Sequence, residues 1–144
     1  MIVENQVNIE KRRTARFSFF CSKLSSFENN AYFCKRNHWD MEEKVINSIK
    51  KSLLLHLPSG GYALLYGSRA RGDAHSGSDW DILIVLDKEK LLPKDYDTIS
   101  YPLRELGWEL GEYINPVMYT AKEWEANKFT PFYHNVIDDA IRLA

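Results

Sequence analysis

Two aspartates at the start of an apolar run are the residues in this sequence best suited to chemistry. Asp79 and Asp81 are two positions apart in "SDWDILIVL", which is predicted to be a β-strand. Alternate side chains of a strand point to the same face, so both carboxylates are expected on one face and Trp80 on the other. Neighbouring carboxylates repel each other unless a cation lies between them. The pair therefore predicts a site for Mg²⁺, a hard cation that prefers oxygen ligands.

The segment "YGSRARGD", at residues 66–73, precedes this pair and is predicted to form a turn from a strand into a helix. Gly67 would let a ligand approach the backbone closely, and Ser68 adds a hydroxyl group. Arg69 and Arg71 add positive charge, and the N–H groups at a helix start suit an anion such as phosphate. A phosphate-binding turn beside a metal-binding pair indicates metal-assisted phosphoryl or nucleotidyl transfer.

The elements that must position these residues alternate regularly from Met41 onwards. The first is a helix over 41–57 whose apolar residues share one face, namely Val45, Ile46, Ile49, Leu53 and Leu57. Strands are predicted over 62–67, 79–87 and 114–120, helices over 98–113 and 121–127, and a last helix or turn over 131–144. This alternation predicts an α/β (α+β) fold, in which a small sheet carries helices on one side.

Residues 1–40 show no sustained apolar period and are predicted to be an irregular N-terminal extension, disordered or absent from the native protein. Residues 41–144 are predicted to form the functional domain. A basic arm for RNA or a partner is the alternative interpretation of the extension. With a net charge of -1 and two cysteines, the composition gives no reason to expect nucleic acid, a membrane or a disulfide framework. A cytoplasmic location is the corresponding expectation.

The stretch "GSRARGDAHSGSDWDILIVL" resembles the Gly-Ser-x-Ala-Arg-Gly and Ser-Asp-x-Asp signature of the polymerase-β-like nucleotidyltransferase superfamily. Within that superfamily the chain is similar to the minimal nucleotidyltransferases, also known as MNT or antitoxin-type domains. The resemblance implies the superfamily's fold, a small mixed β-sheet flanked by helices. The signature covers about 20 residues, and the weaker resemblance in element order runs from Met41 to the C-terminus.

The resemblance also implies roles for individual residues. Asp79 and Asp81 would bind Mg²⁺ and would be the catalytic residues. Gly67 and Ser68 would hold the triphosphate of a nucleotide, and Arg71 would support the turn or the phosphates. The complete set predicted to bind the nucleoside triphosphate, with ATP as the expected donor, is Gly67, Ser68, Arg69, Arg71 and Ser78.

A third carboxylate on a later strand is a further feature of active members of this superfamily, where it helps to hold the metal and accepts a proton. The matching position here is Asn115, in "INPVMYT". A neutral amide offers an oxygen to a metal but cannot act as a base. Glu112 is expected on the opposite face, and Glu109 would have to reach in from the preceding helix; either is an alternative source of the carboxylate.

Two functions therefore remain open at this stage. One is a Mg²⁺-dependent nucleotidyltransferase that moves a nucleoside monophosphate to a protein or small-molecule acceptor. The other is a catalytically weak or inactive protein of the same fold, acting by nucleotide or partner binding, for example as an antitoxin. The chain has no room for a separate acceptor domain, so a toxin-like helical partner or a homodimer is expected to supply one. The aromatic residues Phe129, Phe132 and Tyr133 either belong to such a surface or close the core.

Overall fold

The computed structural model describes the backbone of residues 29–144 and the side chains of residues 41–144. The chain divides into two compact units, Met1–Glu42 and Glu43–Ala144, and the second contains every predicted site residue. Residues 1–28, which make up most of the predicted extension, lie outside the described part. Among the described residues, no helix has the length and apolar character needed to cross a membrane.

Six helices, one π-helical segment and four strands are described. In chain order they are α1 (Asn29–His56), β1 (Tyr62–Tyr66), α2 (Gly67–Arg71), β2 (Trp80–Leu86), α3 (Pro93–Asp95), the π-helical segment (Tyr96–Ser100), α4 (Tyr101–Leu110), β3 (Ile114–Thr120), α5 (Ala121–Ala126), α6 (Pro131–Asp139) and β4 (Ile141–Arg142).

The four strands form one mixed sheet in the order β3-β2-β1-β4. Strand β1 is antiparallel to β2 and to β4, whereas β2 and β3 are parallel. In this register Asp81 lies opposite Tyr66 on β1 and opposite Asn115 on β3. The α+β fold class and the mixed sheet flanked by helices are thus confirmed.

One face of the sheet is covered by α1 and α4. The apolar residues of α1 recur at helical spacing, and Val45, Ile49 and Leu53 are fully buried as predicted. They pack in one cluster with Trp80 of β2 and Leu103 of α4. Burying an apolar side chain of this size stabilises the fold by about 1.5–3 kcal/mol. This face therefore holds the larger part of the core.

The opposite face of the sheet is covered by α5 and α6. Leu83 and Val85 of β2 pack there with Trp124 and Val136, and Phe132 and Tyr133 contact the same cluster. The prediction of helices on one side only is therefore wrong. The reason lies in β2, where every residue from Ile82 to Leu86 is buried. Because successive side chains of a strand point to opposite faces, both faces of this strand need a covering layer of helices.

Three boundaries differ from those that the sequence pattern predicts. Helix α1 begins at Asn29 rather than Met41, since residues 29–40 contain no proline or glycine that would end a helix. The helical region before β3 begins at Pro93, within the predicted connection. The C-terminal segment ends in the short edge strand β4, which pairs with β1.

Candidate active site

The turn between β1 and α2 places a glycine directly against a carboxylate. Gly67 has a φ of 74°, a left-handed conformation that suits glycine. A Cβ atom at this position would lie only 2.8 Å from Oδ2 of Asp81. Any side chain at position 67 would therefore displace the carboxylate, and the backbone forms one wall of a cradle for Asp81.

Asp79 and Asp81 flank the first residue of β2. Trp80, between them, is buried in the cluster with α1 and α4, so Asp81 belongs to the other face of the sheet. Asp81 is half-buried, and Asp79, just before the strand, is exposed. The oxygen donors of this pair suit a hard divalent cation.

Asn115 completes the site on the neighbouring strand. Its Nδ2 donates a hydrogen bond to Oδ1 of Asp81 over 3.1 Å, and its side chain is exposed. The residue thus occupies the predicted third position beside the aspartates. The Asn115 side chain orients Asp81 through this hydrogen bond. A neutral amide does not accept a proton at ordinary pH, so Asn115 provides no general base.

The two glutamates considered as substitutes lie elsewhere. Glu112 precedes β3, and its Oε2 accepts a hydrogen bond from Nε1 of Trp80 at 2.9 Å, on the face opposite Asp81. Glu109 is exposed on α4, a helix that packs on that same opposite face. Within residues 41–144, no group of three or more histidine, cysteine, aspartate or glutamate side chains is arranged to hold a metal. The carboxylates of Asp79 and Asp81 and the amide of Asn115 therefore remain as the predicted ligands.

Arg69, predicted to bind the nucleotide, points into the protein. The residue is only 6% exposed. Its Nε and Nη2 atoms both donate to the carbonyl oxygen of Ser78, at 3.1 and 3.0 Å. Its guanidinium carbon lies 4.5 Å from the centre of the Trp80 ring. This placement ties α2 to the segment that leads into the aspartates.

The predicted ligands Ser68 and Ser78 differ in their surroundings. Ser68 is half-buried in the first turn of α2, and its carbonyl oxygen accepts hydrogen bonds from the N–H groups of Gly72 and Asp73. Ser78 is buried, and its hydroxyl accepts a hydrogen bond from the N–H of His75 at 3.0 Å. The Ser78 hydroxyl therefore closes a local turn.

Arg71 joins α2 to the C-terminal helix. Its Nη1 donates to Asp139 on α6 at 3.1 Å, and its Nε donates to Asp73 at 3.2 Å. These two hydrogen bonds, with that to Asp139 the larger influence, raise the pKa of Arg71 above its ordinary value. The sequence predicted a role for Arg71 but gave no signal for Asp139, which lies far along the chain.

Tyr66 lies opposite Asp81 on β1 and belongs to an aromatic cluster on the same face of the sheet, whose other members are Tyr119, Trp124, Phe132 and Tyr133. Tyr66 and Phe132 meet edge to face with ring centres 5.7 Å apart. Burial, and secondly the charge of Asp81, raise the pKa of Tyr66 to about 12. Sequence reasoning missed Tyr66, although its position directly before Gly67 could have indicated it.

Comparison with known proteins identifies the family of this domain. The sequence model of the nucleotidyltransferase domain matches residues 46–138, which is more than half of the chain. The chain belongs to the nucleotidyltransferase domain family. The matched range includes the turn at Gly67, both aspartates and Asn115.

Two solved structures resemble this nucleotidyltransferase domain. One is the crystal structure of a toxin–antitoxin with AMP-PNP, at 22% identity and a TM-score of 0.50, covering 69% of this chain and 72% of that chain. Another is a crystal structure of a mutant of the toxin–antitoxin MntA-HpeT, at 19% identity and a TM-score of 0.48, with the same coverage. None of the curated proteins searched matches the chain. The nucleotidyltransferase family is thus confirmed by the sequence model, and the structure solved with AMP-PNP shows the same fold.

Proposed function

We propose that this domain is a Mg²⁺-dependent nucleotidyltransferase, which moves a nucleoside monophosphate from a nucleoside triphosphate to a protein or small-molecule acceptor. The observation that carries the proposal is the placement of Asp81 between the backbone of Gly67 and the amide of Asn115. This arrangement leaves one carboxylate in a fixed position, with Asp79 two residues before it. Family membership makes nucleotide chemistry the first expectation for such a site.

The residues of the site suit Mg²⁺ bound with a triphosphate. Asp79 and Asp81 would hold the metal, and the amide oxygen of Asn115 is available if its side chain turns over. When bound, Mg²⁺ would supply Lewis-acid stabilisation of the charge on the phosphates. We propose ATP as the donor, and the similar fold solved with AMP-PNP supports a nucleotide of this kind.

The proposed reaction exchanges one bond for another at the α-phosphorus. An acceptor oxygen forms a bond to the α-phosphorus. At the same time the bond between the α-phosphorus and the oxygen that bridges to the β-phosphorus breaks, and pyrophosphate leaves with that electron pair. The acceptor's proton must pass to a base. Because Asn115 cannot accept it, the proton goes to solvent or to a group of the acceptor, and we expect slow transfer unless a partner supplies a base.

A second candidate function is favoured by the same asparagine. If no partner provides a base, the domain would bind Mg²⁺ and nucleotide without turnover and would act through partner binding. The fold it shares with a toxin–antitoxin supports an antitoxin-like role with a partner protein. A homodimer is the alternative partner. Nucleotide binding is common to both functions, so turnover separates them.

The deciding experiment measures binding and turnover on the same preparation. The full chain is titrated with each nucleoside triphosphate, with and without Mg²⁺, by calorimetry. It is then incubated with each α-labelled nucleoside triphosphate, Mg²⁺ and a lysate of the source cell. A labelled protein or metabolite supports the transferase and identifies donor and acceptor. Binding without label supports the second candidate, and failure to bind any nucleotide with Mg²⁺ contradicts both.

A further inference from the structure

A charged side chain lies beneath the candidate active site and has no part in the reaction proposed above. Arg69 is buried in the short helix α2, where its guanidinium stacks on Trp80. A buried cation is costly unless it is fully hydrogen-bonded and paired with an opposite charge. The hydrogen bonds and the ion pair of Arg69 therefore indicate its structural role.

Two of these contacts hold one backbone carbonyl. Nε and Nη2 of Arg69 both donate to the carbonyl oxygen of Ser78. The planar fork of an arginine places two donor nitrogen atoms against this one oxygen, whereas a lysine has only one donor nitrogen. Ser78 is held further by His75, whose carbonyl oxygen accepts from the Ser78 N–H and whose N–H donates to the Ser78 hydroxyl, both at 3.0 Å. The residue directly before Asp79 is thus fixed from several sides.

A third contact of Arg69 reaches the segment that precedes β3. Nη2 donates to Oε2 of Glu112 at 3.4 Å, and this carboxylate neutralises the buried guanidinium. The same oxygen accepts the hydrogen bond from Trp80, whose backbone N–H donates to the carbonyl of Tyr113 at 2.7 Å. The cluster of Arg69, Trp80 and Glu112 therefore links the starts of β2 and β3, where the aspartates and Asn115 are found.

We propose that Arg69 is a positioning residue, which fixes Asp79 for the metal and the nucleotide through the carbonyl of Ser78. This inference rests on the proposed Mg²⁺-nucleotide site and replaces direct contact between Arg69 and the nucleotide. Asp79 itself is exposed and precedes the regular strand, so the strand alone does not hold it. Arg69 adds to the restraint on Ser78 that the turn at His75 provides, and it acts from the opposite face of the sheet.

The first test substitutes Arg69→Lys, which keeps the charge and removes the two-point contact. We expect the affinity for Mg²⁺-ATP to fall by about 10- to 100-fold, as is typical when a partner behind a metal ligand is lost. Hydrogen exchange should accelerate at the amides of residues 72–79 and stay unchanged in α4. Arg104→Lys, on the exposed face of α4, is the matched control and should alter neither measurement.

The second test separates positioning from direct contact by combining Arg69→Lys with Asp79→Asn, a conservative change that keeps an amide oxygen for the metal and leaves weakened but measurable binding. If Arg69 acts through Asp79, then Arg69→Lys should have little further effect on nucleotide affinity in the Asp79→Asn background. Additive losses would overturn the inference, because they would mean that Arg69 contacts the nucleotide itself. Unchanged affinity in a folded Arg69→Lys variant would overturn it too, whereas a wild type that binds no nucleotide would instead contradict the proposed function.

A third variant keeps the inference testable if Arg69→Lys does not fold. Glu112→Gln retains an oxygen for the Trp80 hydrogen bond but removes the charge that neutralises Arg69. We expect weaker Mg²⁺-ATP binding and faster exchange at residues 72–79, in the same direction as for Arg69→Lys but smaller. Wild-type affinity and exchange in Glu112→Gln would overturn the inference.

Discussion

The amide of Asn115 donates to Oδ1 of Asp81, while Oδ2 of the same carboxylate faces the backbone of Gly67. Both oxygens of Asp81 are thus oriented before any ligand arrives. The pairing follows from the parallel register of β2 and β3, which sets the two residues side by side. An amide relieves the crowding of carboxylates at this edge, because it adds a donor where a third acid would add a negative charge.

Asn115→Asp should lower the stability of the metal-free domain and add a carboxylate that can act as a general base. Without Mg²⁺ the new carboxylate would repel Asp81, so we expect a lower melting temperature, and Mg²⁺ should raise that temperature more than in the wild type. If the third acidic position limits transfer, the labelled-nucleotide assay should show a gain of about 10²- to 10⁴-fold. Brisk wild-type transfer that Asn115→Asp leaves unchanged would contradict this prediction.

Gly67→Ala should damage the site more than it damages the fold. An alanine in this left-handed conformation costs about 1–2 kcal/mol, and its Cβ would also push Asp81 aside. Gly72→Ala is the matched control, because Gly72 has a similar φ of 79° but no atom within 4 Å of the added Cβ. Both variants should lose similar stability in thermal unfolding, and only Gly67→Ala should lose Mg²⁺-ATP affinity in calorimetry. Equal affinities in the two variants would show that the cradle has no role in binding.

Asp79→Ala and Asp81→Ala should each abolish Mg²⁺-dependent nucleotide binding, because each removes a proposed metal ligand. The fold should persist, since Asp79 is exposed and Asp81 only half-buried. Asp87→Ala, at an exposed position just beyond the far end of β2, is the control and should bind normally. Calorimetry measures the affinity, and circular dichroism checks the fold. Unchanged Mg²⁺-ATP affinity in both site variants would mean that the metal site is wrongly placed.

Asp95→Asn should destabilise the domain at neutral pH but not in acid. The carboxylate of Asp95 accepts from Lys88 and from the N–H of Leu92, and these hydrogen bonds, that from Lys88 first, lower its pKa below the ordinary 3.8. A lowered pKa gives stability that is complete above the ordinary value and is lost as the pH falls through the folded one. We expect a loss of about 1–3 kcal/mol at pH 7.

The measurement for Asp95→Asn is denaturant unfolding of both proteins across the pH range. Their difference in unfolding free energy should shrink steadily below about pH 3.8. Asp97→Asn, an exposed neighbour in the same region, serves as the control and should show little difference at any pH. A difference for Asp95→Asn that stays constant into acid would contradict the assigned charge interaction.

We propose that residues 1–40 are dispensable for the domain, so a chain that begins at Met41 should fold. Among the described side chains of α1, from Met41 onwards, Val45 is the first that is buried, and the compact unit begins at Glu43. The melting temperature should stay within about 5 °C of the full chain's, which corresponds to less than about 1 kcal/mol for a domain of this size. A larger fall would show that the preceding residues stabilise the domain.

Local pattern was sufficient to predict the elements that carry the site. The two-residue period places Trp80 in the core and Asp81 on the other face, and helical spacing identifies the buried side of α1. The aromatic residues near the C-terminus were predicted either to close the core or to form a partner surface. Phe132 and Tyr133 pack against the core, while Phe129 is 85% exposed. Burial on strands and helices such as these follows mainly from residue type and from the spacing of apolar residues, which the sequence shows directly.

The contacts made by the arginines could not be predicted in the same way. Arg69 meets Glu112, and Arg71 meets Asp139, across long stretches of chain that only the assembled sheet and helices bring together. A sequence indicates that a glycine-rich turn with two arginines suits an anion, but not which way each guanidinium turns. Burial against Trp80 decides this for Arg69.

The order of the strands has a consequence for how another chain could join this domain. Strand β3 forms one edge of the described sheet and contains Pro116, a residue without an N–H group to donate. At the other edge, β4 is only two residues long. Short strands and prolines at sheet edges discourage the addition of a foreign strand. A partner or second copy should therefore meet this domain through side chains on its helices and loops, leaving the backbone ladder closed to extension.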